Sequence, residues 1–209
     1  MNSNITVLKH PLIEQKLTIL RNRDTDNKVF RETLNELSYL IVYETTRDLK
    51  LKDVHIDTPL MPCACKELEE QVLLVPILRA GLGMVEGILN LIPSAKVGHV
   101  GVYRDETTLQ PVEYYFRLPP AADTMRTFLL DPMLATGGSL AYAIELLKGK
   151  GISNITVISV ISAPEGLEAL QKAHPDTRIY TAMLDERLNE NGYILPGLGD
   201  CGDRIFGTL

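Results

Sequence analysis

The stretch with the most chemical content covers residues 128–139, Phe-Leu-Leu-Asp-Pro-Met-Leu-Ala-Thr-Gly-Gly-Ser. An apolar run ends in an acid, a turn follows, and a helix is expected from about Ser139. Gly137 and Gly138 let backbone N–H groups come close to an anion, and Thr136 and Ser139 add hydroxyl donors. The helix N-terminus supplies unpaired amides and the positive end of its dipole. Asp131, acceptor-only when ionised, suits sugar hydroxyls beside that anion. An ordinary strand-to-helix turn capped by Ser139 accounts for Thr-Gly-Gly-Ser taken alone; the preceding strand and Asp131 shift the balance toward a phosphate cradle. A P-loop is excluded, because no Lys stands in a G-x-x-x-x-G-K-[ST] arrangement.

A second Gly-bearing loop, Arg79-Ala80-Gly81-Leu82-Gly83, follows the apolar run Val-Leu-Leu-Val-Pro-Ile-Leu. A dinucleotide fingerprint would need glycine where Glu86 stands, and an acid about 20 residues further on that is missing. What remains is a strand-end loop with one Arg beside close-approach glycines, suited to a second anionic group.

These loops need strands before them and helices after them. VLLVPIL, KVGHVGVY, RTFLLD, ITVISVI and RIYTAM are short apolar runs rich in branched residues, and they read as buried strands. Between them Leu82, Val85, Ile88 and Leu89, then Leu140, Ala143, Ile144 and Leu147, then Leu167 and Leu170 after Pro164, recur at helical spacing. Strand and helix alternate, which predicts an α/β fold: an open, mostly parallel sheet with helices on both faces and ligands beyond the carboxyl ends of the strands. Upstream, Val29, Phe30, Leu34, Leu37, Leu40 and Ile41 predict a long amphipathic helix running to about Leu49, with Thr25, Asp26 and Asn27 able to cap it. Residues 103–120, polar and dotted with aromatics, predict a projecting β-hairpin arm. Residues 189–209 are too Gly-rich for a regular element.

Composition sets the outer bounds. The 209 residues, 45% of them hydrophobic, suffice for one domain spanning 1–209 without metals or disulfides to staple it. With 21 basic and 27 acidic residues, the net charge of −6 argues against a nucleic-acid polymer or an anionic membrane as partner. The three cysteines, Cys63, Cys65 and Cys201, are odd in number and lack C-x-x-C spacing, which points to reduced thiols in a cytoplasm. No basic-then-apolar leader opens the chain, and no apolar stretch approaches the ~20 residues of a membrane helix.

The strand, acid and Thr-Gly-Gly-Ser resemble the phosphoribosyl-pyrophosphate (PRPP) loop of type I phosphoribosyltransferases. The form DPMLATGG, with VPILRAGLGM, APEG and GYILPGLGDCGDRIFGT in that order, is similar to the uracil phosphoribosyltransferases in particular. The Asp131-Pro132 pair, where other type I members usually carry two acids, is shared with those uracil enzymes. The resemblance implies transfer of phosphoribose from PRPP to N1 of uracil, giving UMP and pyrophosphate, with Mg²⁺ held mainly by PRPP rather than by a protein cluster. It implies PRPP contacts from Arg79, Arg104, Asp131, Pro132, Met133, Leu134, Ala135, Thr136, Gly137, Gly138, Ser139 and Asp200. It implies a uracil site at Ile194, Gly199, Asp200 and Cys201, with Asp200 a candidate to draw the N1 proton. Cys201 replaces the usual Ala of the Gly-Asp-Ala-Gly-Asp motif. The resemblance also implies a homodimer or higher homo-oligomer, and it leaves a GTP effector open. Nothing functional follows for Cys63 or Cys65, in the segment least like the family.

The alternative of another class is an RNA-binding pyrimidine regulatory protein on the same fold. It calls for a clustered basic stripe, and the sequence has no run of Lys or Arg. A purine or orotate transferase is the other rival, differing only in the C-terminal base pocket.

Overall fold

Strands buried on both faces lose the apolar-polar alternation of half-exposed ones, so the uninterrupted apolar runs belong at the centre of a sheet. In the computed structural model, which describes residues 4–104 and 111–208 and only the backbone of Arg104, they lie there. In chain order the elements are β1 (Ile5–Val7), α1 (Pro11–Arg21), α2 (Asn27–Thr45), β2 (Leu51–Asp57), β3 (Pro62–Leu68), β4 (Val72–Leu78) and α3 (Leu82–Leu91). Next come β5 (Lys96–Val97), β6 (His99–Arg104), β7 (Pro111–Arg117), a 3₁₀ turn at Ala122–Thr124, β8 (Arg126–Leu130), β9 (Met133–Leu134) and α4 (Gly138–Gly149). The chain closes with β10 (Ile155–Ser162), α5 (Pro164–Ala173), β11 (Arg178–Leu184), β12 (Arg187–Leu188), β13 (Ile194–Leu195) and α6 (Cys201–Phe206).

The main sheet runs β1-β11-β10-β8-β4-β6-β7, with β5 beside β4 and β9 beside β10. All its pairings are parallel except β6 with β7. Successive residues of one strand feed opposite layers. Phe128 and Leu130 pack with Phe30, Leu34, Met84 and Ile88 of α2 and α3, whereas Leu129 packs with Leu140, Ile144 and Leu167 of α4 and α5. Helices therefore cover both faces, as the alternation of patterns predicted.

The order of strands locates the crevice. From β4 the chain crosses by α3 to β6 on one side; from β8 it crosses by α4 to β10 on the other. The reversal falls between β4 and β8, and in open α/β sheets ligands bind beyond the carboxyl ends of the strands at such a point. The Arg79 loop and the loop that starts at Asp131 flank it.

Three sequence expectations need correction. The long helix stops at Thr45 rather than near Leu49. The hydroxyls of Thr45 and Thr46 bond back to the Val42 carbonyl, and the Asp48 carboxylate is drawn to Arg126 and Arg178. Residues 189–209 do contain regular structure: β13 pairs with β12, and α6 forms because Asp200 caps it, its Oδ1 accepting from the Asp203 N–H at 2.9 Å. Ile205, buried against α2, anchors that short helix, and Gly207 at φ +67° ends it. The hairpin arm begins earlier than residue 103, since β6 pairs with β7 from His99 onward while Val100 and Gly101 also pair with β4; its tip, residues 105–110, lies outside the described residues. A second hairpin, β2 with β3, was not read from the sequence and pairs with no strand of the main sheet.

Candidate active site

After β8 the chain bends at Asp131 and Pro132, adds β9 along β10, and enters α4. The Pro132 carbonyl accepts from the N–H groups of Val160 and Ile161 at 3.1 and 3.0 Å, and Leu134 is buried beside Ser162. These two residues fix the loop from below. Above them Ala135, Thr136, Gly137 and Ser139, with Asp131 and Met133, line a cavity of about 80 Å³.

Gly137 stands at the N-cap of α4 with φ +81°, a left-handed conformation that L side chains rarely adopt, and no side chain caps the helix. Ser139 is thus inside the first turn rather than at its cap. The first amides of α4 remain for a ligand or water, the condition for an anion site at a helix N-terminus. Gly138 is informative by contrast: a Cβ there would meet nothing closer than Thr136 Oγ1 at 3.8 Å. Packing within the chain does not demand that glycine, whereas an incoming phosphate would.

Asp131 is half-buried at the floor of the crevice, where its Oδ1 accepts from the Met133 N–H at 3.2 Å. Burial pushes its carboxyl up to about 6, against the opposing pull of that N–H. A carboxylate held this way is a strong acceptor for hydroxyl donors, since solvent satisfies it poorly.

The Arg79 loop meets the Asp131 loop backbone to backbone. A Cβ on Gly81 would stand 2.4 Å from the Leu130 carbonyl oxygen, and one on Gly83 2.7 Å from side-chain carbons of Leu34 and Ile205. The space at both glycines is taken by protein, so they serve close packing and not, as their spacing suggested, the approach of a second anion. Arg79 itself is exposed over the crevice. Its Nη2 donates to Asp203 Oδ1 at 3.2 Å, and its guanidinium lies 5.9 Å from the Phe206 ring centroid.

The C-terminal segment closes the ring of loops. Gly202 faces Arg79, a Cβ on it lying 4.0 Å from Nη2, and Gly192 faces Thr136, a Cβ on it lying 3.6 Å from the Thr136 methyl carbon. The charges of Asp131 and Asp200 both reach the Cys201 thiol. Three segments far apart in sequence, around Arg79, Asp131 and Asp200, therefore share one crevice. Among the described residues no group of three or more His, Cys, Asp or Glu is placed to hold a metal ion.

The uracil phosphoribosyltransferase family profile matches residues 7–208. The chain belongs to the uracil phosphoribosyltransferase family. The uracil phosphoribosyltransferase of Streptococcus pneumoniae serotype 4 is 58% identical over 205 residues, 98% of each chain. The AQ2163 protein from Aquifex aeolicus superposes with a TM-score of 0.90 at 42% identity, covering 97% of each chain. The adenine phosphoribosyltransferase of Trypanosoma brucei, at 11% identity and a TM-score of 0.59 over 90% of this chain and 87% of its own, shares the fold.

Within this uracil phosphoribosyltransferase family member, the four residues expected at the base are placed unequally. Gly199 and Asp200 are exposed, Gly199 beside a cavity it lines with Arg21, Arg23 and Arg204; the Ile194 and Cys201 side chains are 3% and 2% exposed and pack in the core. Burial takes those two side chains out of reach of a ligand. Arg104 ends β6, and its side chain lies outside the described residues, as does the arm tip.

Residues not singled out from the sequence hold the C-terminal segment. Asp185, 7% exposed, accepts from Arg21 Nη1 at 3.0 Å and from the Gly197 N–H at 3.0 Å, while the same Arg21 nitrogen donates to the Gly197 carbonyl at 2.7 Å. Arg204 lies 4.4 Å over the Phe30 ring and donates to the carbonyls of Leu20, Leu198 and Asn22. Both tie the segment to α1 and α2, and nothing in their spacing along the sequence signals a partner 164 or 184 residues away.

Proposed function

We propose that the chain is a single phosphoribosyltransferase domain over residues 1–209 that transfers phosphoribose from PRPP to N1 of uracil, forming UMP and releasing pyrophosphate. The observation that carries this reading is the uncapped N-terminus of α4 behind Gly137, with Asp131 at its foot and Arg79 across the crevice. The 5-phosphate is taken by the amides of residues 137–139 with the hydroxyls of Thr136 and Ser139, and the ribose hydroxyls donate to Asp131. Arg79 faces the pyrophosphate. Met133 and Ala135 wall the sugar, and Pro132 and Leu134 hold the loop in register.

Such a transfer passes through a loose, cationic sugar and needs no protein nucleophile. Aligning two substrates offers ~7–11 kcal/mol in principle, and donors aimed at the leaving pyrophosphate add to it. Mg²⁺ fits the donor set: it prefers phosphate oxygens and waters to an all-protein cage, and the crevice carries Asp131 and Asp200 as separate carboxylates rather than a cluster. Bound with PRPP, the ion would supply neutralisation of the pyrophosphate charge. Asp200, exposed beside Gly199, would draw the N1 proton. Backbone N–H and C=O groups from Ile194 to Cys201 read the acceptor–donor–acceptor edge of uracil, and cytosine would leave two of them mispaired at ~1–3 kcal/mol each.

Arg104, at the end of β6, would close with the hairpin arm over PRPP and exclude water. Arg104→Ala is expected to lower turnover and PRPP affinity together; unchanged kinetics in both would remove the arm from the mechanism. A homodimer or higher homo-oligomer has apolar surface available at Leu60 and Met61, exposed in the turn of the β2–β3 hairpin. A cytoplasmic location accords with three free cysteines, and no helix among the described residues is long and apolar enough to cross a membrane.

The test is pyrophosphate release from PRPP and Mg²⁺ with uracil, cytosine, hypoxanthine and orotate in turn, each with and without GTP. Release with uracil alone is expected. Release with none sinks the enzyme reading.

A further inference from the structure

Arg79 is a long side chain, 56% exposed, at the mouth of the crevice. Left to itself it would sample many rotamers, and ordering it on a ligand would cost side-chain entropy. It is not left to itself. Asp203 Oδ1 accepts from its Nη2 at 3.2 Å, the Phe206 ring lies under its guanidinium at 5.9 Å, and Gly202 leaves room beside it. All three belong to α6, whose first turn follows directly on Gly199 and Asp200 of the base segment.

Asp203 is held in its turn. Its Oδ1 also accepts from the Thr208 hydroxyl, and its backbone N–H is committed to the Asp200 cap. The carboxylate is 27% exposed and the guanidinium 56%, so the solvated ion pair contributes little to folding. It uses one of the five donors of a guanidinium. A weak, one-point contact between two solvated groups is a poor stability device and a good way to fix where a charge sits.

We propose that Asp203 is a positioning residue: it holds Arg79 over the crevice so that the guanidinium meets the pyrophosphate of PRPP without first being ordered. The inference rests on the phosphoribosyltransferase reading for the identity of the anion. It also makes α6 the physical link between the two substrate segments, because one helical turn carries Asp200 toward the base and Asp203 toward Arg79. Preorganised side chains bind by avoiding the ordering cost, so loss of Asp203 should weaken the anion even though a negative charge is removed from its neighbourhood.

The experiment is direct calorimetric titration of PRPP and, separately, of inorganic pyrophosphate, both with Mg²⁺, into wild type, Asp203→Asn, Arg79→Ala and the double variant. Asp203→Asn is expected to weaken both ligands about two- to fivefold, because a solvated ion pair can bias the conformations of its partner by no more than its own weak interaction. In the Arg79→Ala background the same change should have no further effect. Steady-state kinetics should show KM for PRPP raised and KM for uracil unchanged; a collapse of the base segment would raise both. Equal losses in both Arg79 backgrounds, no loss, or tighter binding each overturn the proposal. If Asp203→Asn does not fold, Thr208→Val at the exposed C-terminal end decides it: weaker PRPP binding supports the proposal and unchanged binding overturns it. Binding is read without turnover, so failure of the wild type to release pyrophosphate with uracil would count against the proposed function and not against the role of Asp203.

Discussion

Gly166 in the first turn of α5 lies against the carbonyl oxygen of Ala135, so closely that a Cβ on it would stand 2.0 Å from that atom. The contact is returned at Gly137, where a Cβ would meet the Gly166 carbonyl oxygen at 2.8 Å. The phosphate loop is therefore seated on the next helix by backbone alone. Gly166→Ala must move one or the other, at about 1–3 kcal/mol for an overpacked contact. Urea unfolding should report that loss, and PRPP titration should show affinity reduced at least tenfold. Wild-type PRPP affinity in the destabilised variant would show that α5 does not hold the loop.

Gly137 and Gly138 look alike in sequence and differ in structure. Gly137 combines φ +81° with the contact to Gly166; at Gly138 a Cβ would meet nothing nearer than Thr136 Oγ1 at 3.8 Å. Gly137→Ala is expected to cost stability, about 1–2 kcal/mol from the left-handed backbone alone. Gly138→Ala should leave the melting temperature equal to or above that of wild type, since Ala is the better helix former, and should still weaken PRPP binding. Intact PRPP binding by Gly138→Ala would mean that the phosphate sits elsewhere.

The difference between those two glycines marks how far the sequence could be read. Apolar runs, helical spacing and the loops after strands are local patterns, and they placed β4, β8, β10, α4 and the crevice. The meaning of a glycine depends on what comes near it in space. Gly81 and Gly83 read as openings for an anion, and they turned out to be filled by Leu130, Leu34 and Ile205. The Asp203 contact with Arg79 spans 124 residues and leaves no periodic trace. Helix α6 was hidden for a related reason: its six residues contain glycine, and its stability comes from the Asp200 cap and the burial of Ile205 rather than from propensity.

Asp131 sets binding and stability against each other. Its carboxyl, up to about 6 in the folded chain, stands near 3.9 when unfolded, so the folded state binds more protons between those values. Stability is then present at low pH and is lost as pH rises from about 4 through 6. A displacement of that size bounds the loss at about 3 kcal/mol, and water at the half-buried group reduces it. Asp131→Asn should raise the urea midpoint at pH 7.5, with the gain vanishing toward pH 4. Ribose hydroxyls, by contrast, need the ionised form as acceptor, so wild-type PRPP affinity should fall below pH 6. The second ionisation of the 5-phosphate, also near pH 6 for a phosphate monoester, persists in Asp131→Asn, and the difference between the two profiles isolates the carboxylate. Identical profiles, with affinity retained in the variant, would remove Asp131 from the ribose site.

The three cysteines should separate cleanly by reactivity. Cys63 and Cys65 project from the same face of β3 with their sulfurs 3.5 Å apart, both half-buried, and the shared proton raises the Cys63 thiol above its ordinary value. Cys201 is 2% exposed among core residues, and burial together with the charges of Asp131 and Asp200 pushes its thiol strongly upward. A thiolate is the reactive species, so a disulfide reagent at pH 8 should modify Cys63 and Cys65 and leave Cys201 intact until the chain unfolds. Since the Cys201 side chain is buried among core residues, Cys201→Ala should keep near-normal uracil affinity while losing about 1 kcal/mol of packing. Prompt labelling of Cys201 in the folded protein, or a large loss of uracil affinity on direct titration of Cys201→Ala, would show that the thiol itself faces the base.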